Sequence, residues 1–204
     1  MPAQNAVTQL EPAQVDRLSH VLARAFWDDP MMVYLVPDER TRTKHLPWFF
    51  RLSTRYALPY GAVYSTPDVE GAAVWLPPGN TMVKALRMVL LGGAAMPFKF
   101  GLASMRRSMR AMGRLEHLHK RDMPPEHWYL MVLGVEPERQ GQGVGGELIA
   151  PIIERADGER LPCYLETMKE RNVTFYKKHG FEVVVEDAFP DGPRYWTMRR
   201  EPIG

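Results

Sequence analysis

From His127 to Thr167 the chain reads strand, glycine-rich loop, helix, strand, and this run limits the possible folds more than any other feature. His127 to Val135 (HWYLMVLGV) is an almost unbroken apolar stretch, as for a strand covered on both faces. Gly143 to Ala156 follows as a helix, and Cys163 to Thr167 is a second strand. Such a unit makes its two strands parallel, because the helix carries the chain back across the sheet. Beyond it, Asn172 to His179 reads as a short helix closed by Gly180. Phe181 to Glu186 and Tyr195 to Arg199 read as strands joined through Pro190-Asp191-Gly192-Pro193.

The first half is more helical. Val15, Leu18, Val21, Leu22, Ala25 and Phe26 recur at helical spacing behind Pro12, and Asp28-Asp29-Pro30 ends that helix. Glu39 to Ala57 predicts a second helix, with Pro47 as a kink or restart. Ala62–Ser65 and Ala72–Leu76 predict two strands, giving ααββ. Asn80 to Pro125 predicts further helix with a stripe of Phe98, Leu102, Met105, Met109, Met112, Leu115 and Leu118. That stripe packs on the domain or forms a methionine-rich pocket wall, with Arg106, Arg107, Arg110 and Arg114 off it. The expected class is mixed α/β: one domain over 1–204 with a helical insert at about 80–125.

Composition removes several functions. Lys+Arg 26 against Asp+Glu 24 leaves no charge asymmetry that would suggest nucleic acid. The lone Cys163 rules out an intramolecular disulfide framework and a cysteine-rich zinc site, so a cytoplasmic setting and no metal are expected. The longest apolar stretch, Met88 to Phe98, is interrupted by Gly92, Gly93 and Pro97, so no membrane partner is expected.

Glycines 141, 143 and 146 satisfy G-x-G-x-x-G, but a dinucleotide-binding turn follows its strand directly, whereas Glu136 to Gln140 intervene here. No Gly-Lys-Ser/Thr follows, which excludes a P-loop. The loop suits another use. Small residues leading into a helix N-terminus leave amide N–H groups free at its positive end, where a pyrophosphate can sit. A loop that binds nothing has the same glycine spacing.

The residues downstream distinguish these. Val135-Glu136-Pro137 followed by Gln140-Gly141-Gln142-Gly143, then Asn172 through Phe175-Tyr176 to Gly180-Phe181, resembles the GNAT N-acetyltransferase family. Tyr164-Leu165-Glu166-Thr167 with Arg171-Asn172 and Phe175-Tyr176 is similar to puromycin N-acetyltransferase-like members. The resemblance implies a mixed, twisted sheet whose central parallel strands, Tyr129–Val135 and Cys163–Thr167, splay apart to admit acetyl-CoA. The backbone of Leu133, Gly134 and Val135 would hold the pantetheine arm. Arg139, Gln140, Gly141, Gln142, Gly143, Val144 and Gly145 would hold the pyrophosphate, and Asn172 would hydrogen-bond the cofactor or serve as a helix N-cap. Tyr176 would protonate the leaving thiolate, or else be an aromatic core residue. Glu166 would be the general base, or else an ion-pair partner. Asp28, Asp29, His117, His119 and His127 remain as other bases. Cys163 reads as a core residue.

The function implied is acetyl transfer from acetyl-CoA to a primary amine of a small molecule, an antibiotic-like one among the candidates, by direct attack through a tetrahedral intermediate. A non-catalytic CoA-binding sensor of the same fold and a protein N-acetyltransferase are the alternatives. A monomer or homodimer is expected.

Overall fold

The computed structural model describes residues 7–203, built around one seven-stranded sheet. Helix α1 (Val15–Ala25) buries Val15, Leu18, Val21 and Leu22, and its entry is a tight turn at Pro12–Gln14. Asp28-Asp29-Pro30 does end α1, but it also starts a helix that the sequence reading lacks, α2 (Pro30–Leu35). The Asp29 carboxylate accepts the Met31 N–H at 3.0 Å, and Pro30 occupies the first turn. Helix α3 (Glu39–Ala57) is capped by Asp38 through the Thr41 N–H and runs through Pro47 without a restart.

Strands β1 (Thr8–Gln9), β2 (Val63–Ser65) and β3 (Gly71–Leu76) form an antiparallel ladder against which β4 (Trp128–Val135) pairs. Strand β1, two residues long, was not expected. Helix α6 (Val144–Glu159) then crosses to β5 (Cys163–Thr167), and β4 and β5 are parallel, as the strand–helix–strand run requires. Helix α7 (Glu170–Lys178) leads to β6 (Glu182–Ala188) and β7 (Arg194–Arg200). Strand β7 lies between β5 and β6, giving the order β1-β2-β3-β4-β5-β7-β6. A single parallel pair within an antiparallel sheet is not the doubly wound nucleotide fold.

The helical insert consists of α4 (Ala85–Leu90) and α5 (Met96–Asp122). The expected apolar stripe does not pack as a unit. Gly101 breaks α5 with φ 81° and ψ 161°, and Phe98, Leu102, Met109 and Met112 face outward. The reason is phase. Each step of three residues turns about 60° around a helix, so Met109, Met112, Leu115 and Leu118 travel half-way round it. Only Leu115 and Leu118 reach the buried side, with Ser104, Ala111 and His119.

Helix α1 lies directly on β4 because residue 134 is glycine. A Cβ there would come within 2.6 Å of the Leu22 side chain and 2.9 Å of the Phe26 ring. Gly134→Ala should therefore destabilise the protein by about 1–3 kcal/mol by overpacking. Denaturant unfolding of the two chains measures this; equal midpoints would show that α1 moves aside freely.

Candidate active site

Strand β4 is paired unequally on its two edges. Its register with β3 runs from Leu76↔Tyr129 to Gly71↔Val135. Its register with β5 covers only Trp128↔Cys163, Tyr129↔Tyr164 and Leu130↔Leu165. Beyond that, Glu166 and Thr167 remain paired with Thr197 and Trp196 of β7 while β4 diverges. The two strands splay, and the edge of β4 from Met131 to Val135 is open. The Glu136 N–H donates to the Glu70 carbonyl at 2.7 Å, so ladder alternation turns the backbone groups of Leu133 and Val135 into the gap. Gly134, between them, turns its backbone toward β3. The Val135 carbonyl accepts the Gln140 side-chain amide at 3.0 Å.

The open edge leads into the glycine loop. Gly141 and Gly143 have φ of 76° and 88°, which favours glycine, and no atom lies within 4 Å of where either Cβ would stand. Gly143 caps the sixteen-residue α6, whose first turn presents the amides of Val144 and Gly145. Gly145 has a second reason to be glycine: its Cβ would lie 3.3 Å from Phe175 of α7. The Gln142 side chain is tied to the Glu138 carbonyl at 2.9 Å. Arg139 is held away from the loop by an ion pair with Glu70 at 3.0 Å. Arg171, which the sequence reading did not single out as a ligand residue, sets its guanidinium 3.5 Å from the Gln140 side-chain oxygen. The residues present therefore fit a long ligand with amides at one end and an anionic group at the other.

Helix α7 starts two residues earlier than expected, so Asn172 is not its N-cap; Lys169 is. Asn172 donates instead to the Thr167 hydroxyl at 3.2 Å, tying α7 to the end of β5. Tyr176, one turn on, is buried with its ring against Phe175 and Phe181. Burial, and then the charge of Asp29, hold its phenol well above the ordinary tyrosine range. The ring is therefore a core residue, and its hydroxyl keeps its proton at neutral pH.

Glu166 has no salt bridge among the described residues. Its carboxylate accepts the Tyr129 hydroxyl at 2.8 Å, and burial pushes its pKa up to about 7. Tyr129 lies opposite Tyr164 on β4, and the sequence reading did not find it because the partnership depends on strand register. Behind it, His119 stacks on Tyr164 with ring centroids 4.2 Å apart and lies 4.6 Å from Tyr129.

Asp28, Asp29, His119 and His127, among the other candidate bases, are otherwise engaged. Asp28 pairs with Lys169 at 2.8 Å, and that hydrogen bond holds its pKa low. Asp29 caps α2, and burial raises its pKa. His119 and His127 hydrogen-bond to each other through their Nε2 atoms at 2.6 Å, and burial lowers His119 to about 3. His117 is exposed on α5. Cys163 is fully buried and its thiol is pushed up to about 12, as a core residue. No group of three metal-ligating side chains occurs among the described residues, nor a helix long and apolar enough to cross a membrane.

A family model described as "Acetyltransferase (GNAT) domain" matches residues 109–183. An uncharacterized N-acetyltransferase of Schizosaccharomyces pombe is 29% identical over 182 residues, covering 86% of this chain and 74% of that protein. A solved structure described as histone acetyltransferase HPA2 and related acetyltransferase, from Corynebacterium glutamicum, superposes with a TM-score of 0.68. It is 23% identical, and 98% of this chain and 97% of that one are covered. Arylalkylamine N-acetyltransferase 2 from Aedes aegypti gives a TM-score of 0.66 at 16% identity, with 96% and 97% covered.

The Tyr129–Glu166 bond has a pH signature. Glu166 titrates higher folded than unfolded, so its contribution to stability falls as pH rises from about 4.5 through 7. Tyr129→Phe removes the donor that favours the ionised carboxylate, so the folded pKa rises and the fall continues to higher pH. The substitution should cost about 1–3 kcal/mol at pH 8 and clearly less at pH 5. Denaturant unfolding at both values tests this; equal losses would mean that the bond does not bear on the charge.

Proposed function

We propose that this GNAT-fold acetyltransferase transfers the acetyl group of acetyl-CoA to the primary amine of a small molecule by direct attack on the thioester. The reading takes residues 1–204 as one such domain in a cytoplasmic setting. The observation that carries it is the open edge of β4 running into the glycine loop at the start of α6. The arylalkylamine enzyme among the fold neighbours supports a small amine acceptor. The motifs over Tyr164–Thr167 and Arg171–Tyr176 support the puromycin N-acetyltransferase-like subtype and an antibiotic-like acceptor.

Acetyl-CoA supplies an activated acetyl group, and the products are an amide and free CoA. Leu133 and Val135 offer their backbone groups to the pantetheine amides as a substitute strand. Gln140 to Gly145 receive the pyrophosphate, with Arg171 beside them. Arg139 stays with Glu70 and contributes by fixing the loop. Glu166 takes a proton from the incoming ammonium: with a pKa of about 7 it is ionised in part of the population at neutral pH and still basic enough to act. Tyr176 keeps its proton throughout that range and gives it to the departing sulfur, and the second proton that the nitrogen loses as the amide forms restores the phenol.

Acetyl-CoA at a hundredfold excess over its dissociation constant should stabilise the fold by about 2.7 kcal/mol, whereas NAD should do much less. Gly143→Val should abolish the effect, because a branched side chain is strained at this φ and occupies the ligand's space. Thermal unfolding reads both, and stabilisation by NAD would reject the proposal.

Tyr176→Phe keeps the ring and removes only the proton. Free CoA release with a panel of amines should show kcat lower by about 10²–10⁴, with acetyl-CoA affinity little changed. Near-normal turnover would make Tyr176 a core residue. Absence of turnover by the unsubstituted protein with every amine would favour the CoA-binding sensor.

A further inference from the structure

Between Glu70 and Glu116 the chain has no Asp or Glu, yet it carries Lys84, Arg87, Lys99, Arg106, Arg107, Arg110 and Arg114. The helical insert is thus a cationic stretch in a chain whose overall charge is only +2. The fold uses some of these cations. Arg87 lies over Tyr56 and Tyr60, its guanidinium carbon 4.4 Å and 4.5 Å from the ring centres. Arg107 donates to the Leu35 carbonyl, and Arg114 pairs with Asp187 at 3.1 Å. Lys84, Arg106 and Arg110 are exposed and make no ion pair among the described residues. From other elements, Asp187 of β6 and Asp191 of the following turn reach only the flank of α5 that holds Arg107, Arg110 and Arg114.

The same stretch exposes large apolar side chains. Phe98 is 91% exposed and Leu102 67%, on either side of the break at Gly101. Beyond the break, at about 100° per residue, Leu102, Arg106 and Met109 project opposite the buried Ser104, Ala111 and Leu115. On α4, Leu86, Val89 and Leu90 are exposed at spacings of three and four, which puts them on one face. These apolar residues line neither the slot between α2, α3 and α5 nor the cleft between α5 and the β6–β7 turn. They stand out from the helices instead.

We propose that α4 and the first half of α5 dock the protein on an anionic phospholipid surface. Protruding apolar side chains enter the headgroup region, and the unpaired cations beside them stay among the phosphates. A bilayer accepts such groups without a fixed complementary shape. A second copy meeting this face about a two-fold axis would instead bring the free cations of both copies together. The interruptions that keep Met88 to Phe98 from spanning a bilayer do not stop the insert from lying on one. The proposal goes beyond acetyl transfer and does not depend on it.

Flotation of the full chain tests this with vesicles of phosphatidylcholine alone and vesicles in which about a third of the lipid is phosphatidylserine. The protein should float with the phosphatidylserine vesicles only, and raising salt from about 0.1 M to about 0.5 M should release it. Arg106→Gln with Arg110→Gln should lower the partition coefficient by about tenfold or more, since each cation near such a surface contributes about fivefold. Phe98→Ser with Leu102→Ser should lower it by about tenfold. Arg17→Gln with Lys178→Gln, the same loss of charge on α1 and α7, should leave it within about twofold. All six side chains are exposed, so the fold tolerates the changes. Flotation with both vesicles alike, flotation with neither, or equal losses at the insert and at Arg17 and Lys178 overturns the proposal. Self-association without lipid in sedimentation velocity, abolished by Phe98→Ser with Leu102→Ser, gives the face to a second copy and overturns it too. None of these results bears on acetyl transfer.

Discussion

Every part of the candidate site is placed by the unequal pairing of β4. Pairing with β3 continues to Val135 past a bulge at Met131, while pairing with β5 stops after Leu130. Backbone groups beyond that point need partners, and leaving them without one inside a protein is costly. Because the gap opens toward the loop before α6, one extended ligand can satisfy the strand amides and the helix N-terminus together. Gly134 contributes from behind, since α1 can lean on β4 only where a side chain is missing.

A single physical effect, desolvation, separates the proposed acid from the proposed base. Burial raises both Glu166 and Tyr176, but they start from very different ordinary values. The carboxyl arrives near neutrality and the phenol moves further from it. Around neutral pH one group can accept a proton while the other still holds its own. The Tyr129 hydroxyl restrains the carboxyl from rising further, and the stacked His119 keeps the surrounding aromatic layer filled.

What was legible in the sequence follows the reach of each signal. The strand Cys163–Thr167 and the helix Glu39–Ala57 match residue for residue, because composition and caps act locally. The glycine loop was legible because glycine reports backbone shape directly. Helix α2 was missed because Asp29-Pro30 is both a stop and a start, and only the stop was taken. The start of α7 was misplaced because Lys169 makes no side-chain cap that would mark it. The outward turn of the α5 methionines came from counting steps of three and four without following their phase. In the candidate site, Glu166 and Tyr176 were proposed from local motifs. Tyr129 was not, since it acquires meaning only through a strand register.

Viewed as a mechanical object, the sheet is two plates, β1 to β4 and β5 to β7, riveted at one end by the three residue pairs from Trp128 to Leu130. A bound extended ligand would act as a rivet at the other end. The stiffness of the sheet therefore tracks occupancy, and its amides report this in an alternating pattern. Along a single strand, Leu133 and Val135 should exchange hydrogen with solvent readily when the gap is empty, while Gly134, paired with β3, should be protected throughout.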